Sequence, residues 1–265
     1  MSDRPIIFSA PMIRALLDGR KTQTRRLIKL NGYRPEFCGP RGCEGDPTCW
    51  GWEDSEHGDW VTLEKEAGQR MGWRDWRGAY APGDRLYVRE AWCTSPPYDD
   101  IKPSEMGGDE SIRYAADGAW ESWGWGDLGC VVGGRARSSI HMPRWASRLT
   151  LTVTDVRVQR VQDISEADAK AEGLATVTKD GSLWKWGIPD RDGLPGNDDH
   201  GWHWRDWKAD PREAFRDIWN SIHGPDAWAA NPWVCALTFT VERRNIDTPT
   251  TDEATPTNHT GGRNG

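Results

Sequence analysis

No stretch of this sequence carries the roughly 20 consecutive apolar residues that a helix needs to cross a membrane. The opening Met1-Ser2-Asp3-Arg4-Pro5 lacks the apolar core of a secretory signal, so the expected location is the cytoplasm. An excess of positive charge is also missing. Lys and Arg number 34 against 41 Asp and Glu, a net charge of -7, which excludes a protein that coats nucleic acid through bulk charge. CxxC pairs are absent, and the six cysteines read as reduced thiols rather than a disulfide framework. Cys38, Cys43 and Cys49, with His57 nearby, are spaced too loosely for structural zinc, and no metal or cofactor is expected. Phe and Tyr are scarce, at 4 and 5 residues.

Against that scarcity stand 18 tryptophans, many of them in polar, glycine-rich stretches. Such rings either stack on bases or anchor long loops to a small core, and the anchoring role is the commoner one. Basic residues cluster locally at Arg20 to Arg26 and at Arg135 to Arg148. A small basic groove on an acidic body suits a nucleotide or a short nucleic-acid segment better than a long duplex.

Ile6-Ile7-Phe8 reads as a strand. Ser9 and Pro11 then open a helix that places Met12, Ile13, Leu16 and Leu17 on one face, and Gly19 stops it. The segment Gly19-Arg20-Lys21-Thr22-Gln23-Thr24-Arg25-Arg26 follows as a basic loop. Strands are expected at Arg85 to Arg89, Leu149 to Val158 and Trp233 to Val241, with a short one at Ile112 to Tyr114. Ser165 with Asp168 caps a short helix through Glu172, closed by Gly173, and Asp210-Pro211 opens another whose Phe215, Ile218, Trp219 and Ile222 share a face. Residues 31–80, 93–140 and 176–209 read as irregular insertions, and 244–265 as a disordered tail. The regular strand–helix alternation of a doubly wound sheet is missing, which favours a small mixed α+β barrel occupying residues 1–243 as one domain.

The pattern Gly19-Arg20-Lys21-Thr22-x-Thr24-x-Arg26, the turn Gly83-Asp84-x-Leu86-x-Val88 and the helix from Ile164-Ser165-Glu166-Ala167 to Glu172 resemble the ASCH superfamily. The longer frame resembles ASCH proteins of bacteriophages and prophages, through Arg4 to Arg26, Ser139 to Arg148 and Asn231-Pro232-Trp233-Val234. That resemblance implies a PUA-like β-barrel with short flanking helices and long insertions. Some compact members are amidohydrolases that remove the acyl group from N4-acetylcytidine. Matched motif by motif, their lysine, threonine and glutamate fall on Lys21, Thr24 and Glu172. Other members are proposed RNA binders or look like ribonucleases, so three activities stay open: deacylation of an N4-acylated cytosine, recognition of RNA or a modified base without turnover, and RNA cleavage.

The residues accommodate the first of these. A threonine hydroxyl attacks an amide only with a base within about 3 Å. A lysine is that base only if burial or neighbouring cations lower its pKa; Arg20, Arg25 and Arg26 are such neighbours. Residues three apart face opposite sides of a regular strand, so Lys21 and Thr24 should converge only through a turn or bulge. Glu172, at the negative end of its helix dipole, would orient Lys21 or bind the leaving amine. Arg144, Trp145 and Arg148 are further candidates, to hold a phosphate and stack a base of a nucleoside or RNA substrate.

Overall fold

The computed structural model describes residues 3–28, 33–54, 58–64, 71–72, 80–121, 133–196 and 201–249. Strand β1 (Asp3–Ile7) runs into helix α1 (Ala10–Leu17), whose first turn holds Pro11 and whose Met12, Ile13, Ala15 and Leu16 are buried. The segment read from sequence as a basic loop becomes strand β2 (Gln23–Leu27). Residues 31–80, expected to be irregular, form a small sheet of β3 (Glu36–Phe37), β4 (Trp50–Asp54), β5 (Asp59–Thr62) and β6 (Met71–Gly72). Strand β7 (Arg85–Arg89) matches its expected span. In the second insertion, β8 (Trp92–Cys93), β9 (Ile112–Tyr114) and β10 (Trp120–Glu121) accompany a satellite core of Trp92, Met106, Ile112, Tyr114, Met142 and Ala146.

Strand β11 (Thr150–Arg160) is long and continuous, with a register shift in its pairing between Val153 and Asp155. Helix α2 (Glu166–Ala171) is capped by the Ser165 hydroxyl, which accepts from the Asp168 N–H at 3.1 Å, and Glu172 is its C-cap. The third insertion holds the hairpin β12 (Ala175–Thr178) and β13 (Trp184–Gly187). Helix α3 (Pro211–His223), capped by Asp210, precedes β14 (Trp233–Glu242). Residues 244–249, expected to belong to a disordered tail, are ordered against the fold. Asn245 and Ile246 are buried, and Asn245 Nδ2 donates to the carbonyls of Arg144, Trp145 and Ser147, whose stacked oxygens fix the chain there. The remainder, 250–265, lies outside the described residues.

The central sheet has the order β1-β7-β11-β14-β2, with β1 and β7 parallel and the other pairs antiparallel. Laid flat, five strands would hold their outer members about 19 Å apart, beyond the reach of one arginine. Yet Arg26 Nη2 on β2 donates to the Ile7 carbonyl on β1 at 2.8 Å, and its guanidinium lies 4.9 Å from the centre of the Phe8 ring. The sheet is therefore strongly curled, with its two edges turned toward each other. Among the described residues no backbone pair closes β1 onto β2, so the architecture is mixed α+β, mostly strand, in several sheets.

The curl places the ends of α1, β2 and α2 together. Thr22 N donates to the Ala171 carbonyl at 2.9 Å and Lys21 N to the Ala15 carbonyl at 3.0 Å, while Lys21 and Glu172 form an isolated backbone bridge. Gly173, immediately after, has φ +104, and a Cβ there would stand 2.9 Å from Ala15 Cβ and 3.1 Å from Lys21 Cβ. Gly173→Ala should cost about 1–3 kcal/mol through backbone strain and this contact. A urea titration measures it, and an unshifted midpoint would show that the three ends do not pack as tightly as their geometry says.

Candidate functional site

Lys21 is 2% exposed, an unusual state for an ammonium. Its Nζ donates to Glu172 Oε2 at 2.8 Å and to the Glu172 carbonyl at 2.7 Å. Arg25 Nη1 donates to the other carboxylate oxygen, Oε1, at 3.1 Å, and to Gln23 Oε1 at 2.7 Å. Arg25 Nη2 reaches Asp168 Oδ2 at 3.1 Å, and Arg157 closes the far side of Asp168. Lys21, Gln23 and Arg25 are two residues apart in turn and all face α2, as strand alternation requires. The unfavourable placement of a carboxylate at a helix C-terminus is offset by two cations.

Burial is the largest influence on Lys21 and pulls its pKa below the usual lysine value; Glu172 opposes this, and Arg26 and Arg25 add to the lowering. Burial alone would push the Asp168 carboxyl up, but Arg157, with Arg25 and Gln23, holds it below the usual carboxylate range. The two bonds from Lys21 Nζ use two of its three tetrahedral positions. The third carries a proton or a lone pair, according to charge.

A cavity of about 310 Å³ opens beside this network. Lys21, Thr24, Arg25, Arg26 and Glu172 line it, so residues 21, 24 and 172 share one cavity, while the Lys21 ammonium bonds Glu172 and not the Thr24 hydroxyl. Thr24, Arg25 and Arg26 line the cavity in succession, so it lies along β2, an edge strand, rather than over one of its faces. Thr24 is buried, and its hydroxyl has no hydrogen-bond partner among the described residues. The opposite wall is apolar and aromatic: Phe8 from the end of β1, and Phe215, Ile218, Trp219 and His223 from α3. The Lys21 ammonium lies 5.5 Å from the centre of the Phe8 ring. Burial and the charge of Arg26 push the His223 imidazole below its usual pKa, so it is neutral at pH 7.

The wall from α3 was missed in the sequence, where its periodic apolar residues read as core. Ile222, on the same helical stripe, is 62% exposed, so the stripe runs past the core into the cavity's rim, which helical periodicity alone does not distinguish from core. Asp168 was read only as a capping residue, whereas its carboxylate neutralises Arg25 and Arg157.

The remaining candidates lie elsewhere. Arg20 bonds the Gly173 carbonyl at 2.5 Å and Asp18, bracing the turn after α2 rather than lining the cavity. Arg144 is neutralised by Asp247 and Asp3, at 2.6 and 2.5 Å. Arg148 forks the buried Glu90 at 2.9 Å through both Nε and Nη2, pairs with Asp117, and lies 4.0 Å from the Tyr114 ring centre. Trp145 packs against the satellite core. The expected phosphate grip of Arg144, Trp145 and Arg148 is thus replaced by structural roles, since both guanidiniums are already matched by carboxylates. Among the described residues no group of three or more His, Cys, Asp or Glu could hold a metal ion; His57 lies outside them. No family model, curated protein or solved structure matches this chain.

The two arginine clusters differ in a measurable way. Arg148→Ala removes the guanidinium that neutralises a buried carboxylate and should cost about 3–5 kcal/mol. Arg144→Ala breaks pairs whose members are all substantially exposed and should cost about 1 kcal/mol or less. Thermal and urea unfolding of both variants provides the comparison, and equal losses would contradict the assignment of Arg148 to the core.

Proposed function

We propose that this chain is a PUA-like ASCH domain whose cavity removes an acyl group from an N4-acylated cytosine. The observation that carries the reading is the convergence of a buried lysine of lowered pKa, an unbonded threonine hydroxyl and a glutamate on one cavity. The strong curl of the central sheet supports the barrel-like part of the reading. At about 310 Å³ the cavity is at the lower end of ordinary small-molecule sites, a size for one base and its sugar. Its aromatic wall offers the flat apolar contact that a pyrimidine ring takes.

In the neutral form, the two N–H bonds of Lys21 are held by the carboxylate and the carbonyl of Glu172, leaving the lone pair as acceptor. Thr24 Oγ attacks the acyl carbonyl carbon as its proton passes to Lys21. The C=O electron pair moves onto oxygen, where the Lys21 ammonium and Arg26 face the developing charge. When the intermediate collapses, the C–N bond breaks and Lys21 returns the proton to the cytosine amine. Water then hydrolyses the acyl-threonine by the same proton route. Glu172 orients Lys21, and Arg25 holds the other oxygen of that carboxylate in place.

The test is conversion of N4-acetylcytidine to cytidine, with a labelled RNA incubated in parallel. Lys21→Ala and Thr24→Val should each lose at least about 100-fold in rate. The active base is neutral, so the rate should rise with pH to a plateau, with its inflection below 10.5. Arg26→Gln removes a charge that lowers the Lys21 pKa, and should move that inflection upward. RNA cleavage lost in Lys21→Ala but kept in Thr24→Val would replace this reading with a ribonuclease. Binding without turnover of either substrate would replace it with a recognition module.

A further inference from the structure

The hairpin β12–β13 grows directly out of the site: Glu172 is followed by Gly173 and Leu174, and β12 begins at Ala175. Helix α3, which forms the aromatic wall of the cavity, packs against both α2 and β13. On this hairpin and its neighbours the charges are handled differently from the rest of the molecule. Of the lysines at described positions, Lys21, Lys102 and Lys208 face carboxylates. Lys170, Lys179 and Lys185 have no carboxylate partner among the described residues and lie over tryptophan rings instead. Lys170 is 4.7 Å from the ring centre of Trp186, and Lys179 and Lys185 are 4.5 and 4.9 Å from that of Trp204.

A ring face attracts an ammonium without neutralising it, so all three keep their charge available to an anion. The nearby acids are engaged otherwise. Asp180 accepts from the backbone and hydroxyl of Ser182, and Asp206 lies beside Arg205. Trp184, next to Lys185, is 52% exposed with no contact to another ring or cation among the described residues. By strand alternation Trp184 shares one face of the hairpin with Trp186 and its Lys170, while Lys185 with Lys179 takes the other, so on a chain of net charge -7 the hairpin presents unneutralised ammoniums on both faces and an open indole on one.

We propose that the β12–β13 hairpin and the Trp204 turn form a platform for single-stranded nucleic acid. Lys170 meets a backbone phosphate on the face where Trp184 stacks on a base, and Lys179 and Lys185 meet phosphates where the strand passes round the hairpin to its other face. This is the combination of spaced cations and free aromatic faces that binds single strands without reading sequence. An acidic peptide would use the ammoniums but not the indole, and a duplex hides the base faces that Trp184 would take. The platform deepens the proposed function, because it makes a polymer rather than a free nucleoside the natural occupant of the cavity. For the reacting group it rests on that reading.

The test is fluorescence anisotropy of a labelled oligouridine of about 12 nucleotides with the full chain, between about 50 and 200 mM salt. Lys179→Ala combined with Lys185→Ala should weaken binding at least 10-fold at the lower salt, and should flatten the dependence of log K on log salt by about 1.4. Trp184→Ala should weaken binding about 5-fold or more and leave that slope unchanged. All three side chains are at the surface, and the hairpin variants should deacylate free N4-acetylcytidine at the wild-type rate. Unchanged RNA binding in the variants, no binding by the wild type, or equal affinity for polyglutamate of the same length would overturn the platform. Failure of the chemistry is separable: no turnover of N4-acetylcytidine alongside hairpin-dependent RNA binding removes the deacylase and keeps the platform.

Discussion

The contact between Lys21 and Glu172 is at once a backbone bridge and a buried ion pair, and the geometry around the cavity follows from it. The bridge pins the start of β2 to the end of α2, and α1 to both through the Ala15 carbonyl. Without it, the curled sheet would still exist, since β11 and β14 pair over almost their whole length. The cavity would not, because its polar floor is the junction itself. A site built on the meeting of three element ends depends on how those ends are tied, more than on any single strand.

Burying charge at that junction is expensive, and the molecule offsets the expense by sharing. Two cations divide the oxygens of Glu172, and Arg25 and Arg157 divide those of Asp168. The cations exceed the carboxylates, and that imbalance has chemical meaning. A lysine facing one carboxylate alone would be held protonated. Here burial and two arginines outweigh the attraction of Glu172, so the Lys21 pKa falls below the usual lysine value. The same arrangement that ties the three element ends together therefore also lowers the pKa of Lys21, as the proposed chemistry requires.

The long elements were legible in the sequence because each carried a local signal of its own. Strand β7 and the β11–β14 pair showed alternation or an apolar run, α1 and α3 showed helical stripes with capping residues, and Gly173 marked the end of α2. Strand β2 was not legible, since Gln23 and Arg25 are buried against Asp168 and Glu172 rather than against apolar residues. A strand whose inward face is polar has no hydrophobic period to read. Apart from β9, expected and found at Ile112–Tyr114, the strands of the insertions escaped notice for a related reason: runs of two to five residues are shorter than the window in which alternation can be recognised. Candidate site residues divide the same way. Lys21, Thr24 and Glu172 meet at one cavity, whereas Arg144 and Arg148, read as phosphate ligands, are matched by acidic partners, Asp3, Glu90, Asp117 and Asp247, that are remote in the chain.

The tryptophans show why composition could not assign their role. Trp50 and Trp233 meet edge-on at 6.0 Å and both lie against the Arg160 guanidinium, at 4.8 and 4.2 Å, fastening the first insertion to the central sheet. Trp92 and Trp207 are buried and fill their local cores. Rings at these places gain more from losing water than an exposed base contact could return, so anchoring is their expected use. Trp184 is the opposite case, since it gives up that gain by standing open to solvent beside unneutralised lysines. A protein that uses indole mainly as ballast has little reason to leave one uncovered there, unless something flat and anionic comes to cover it.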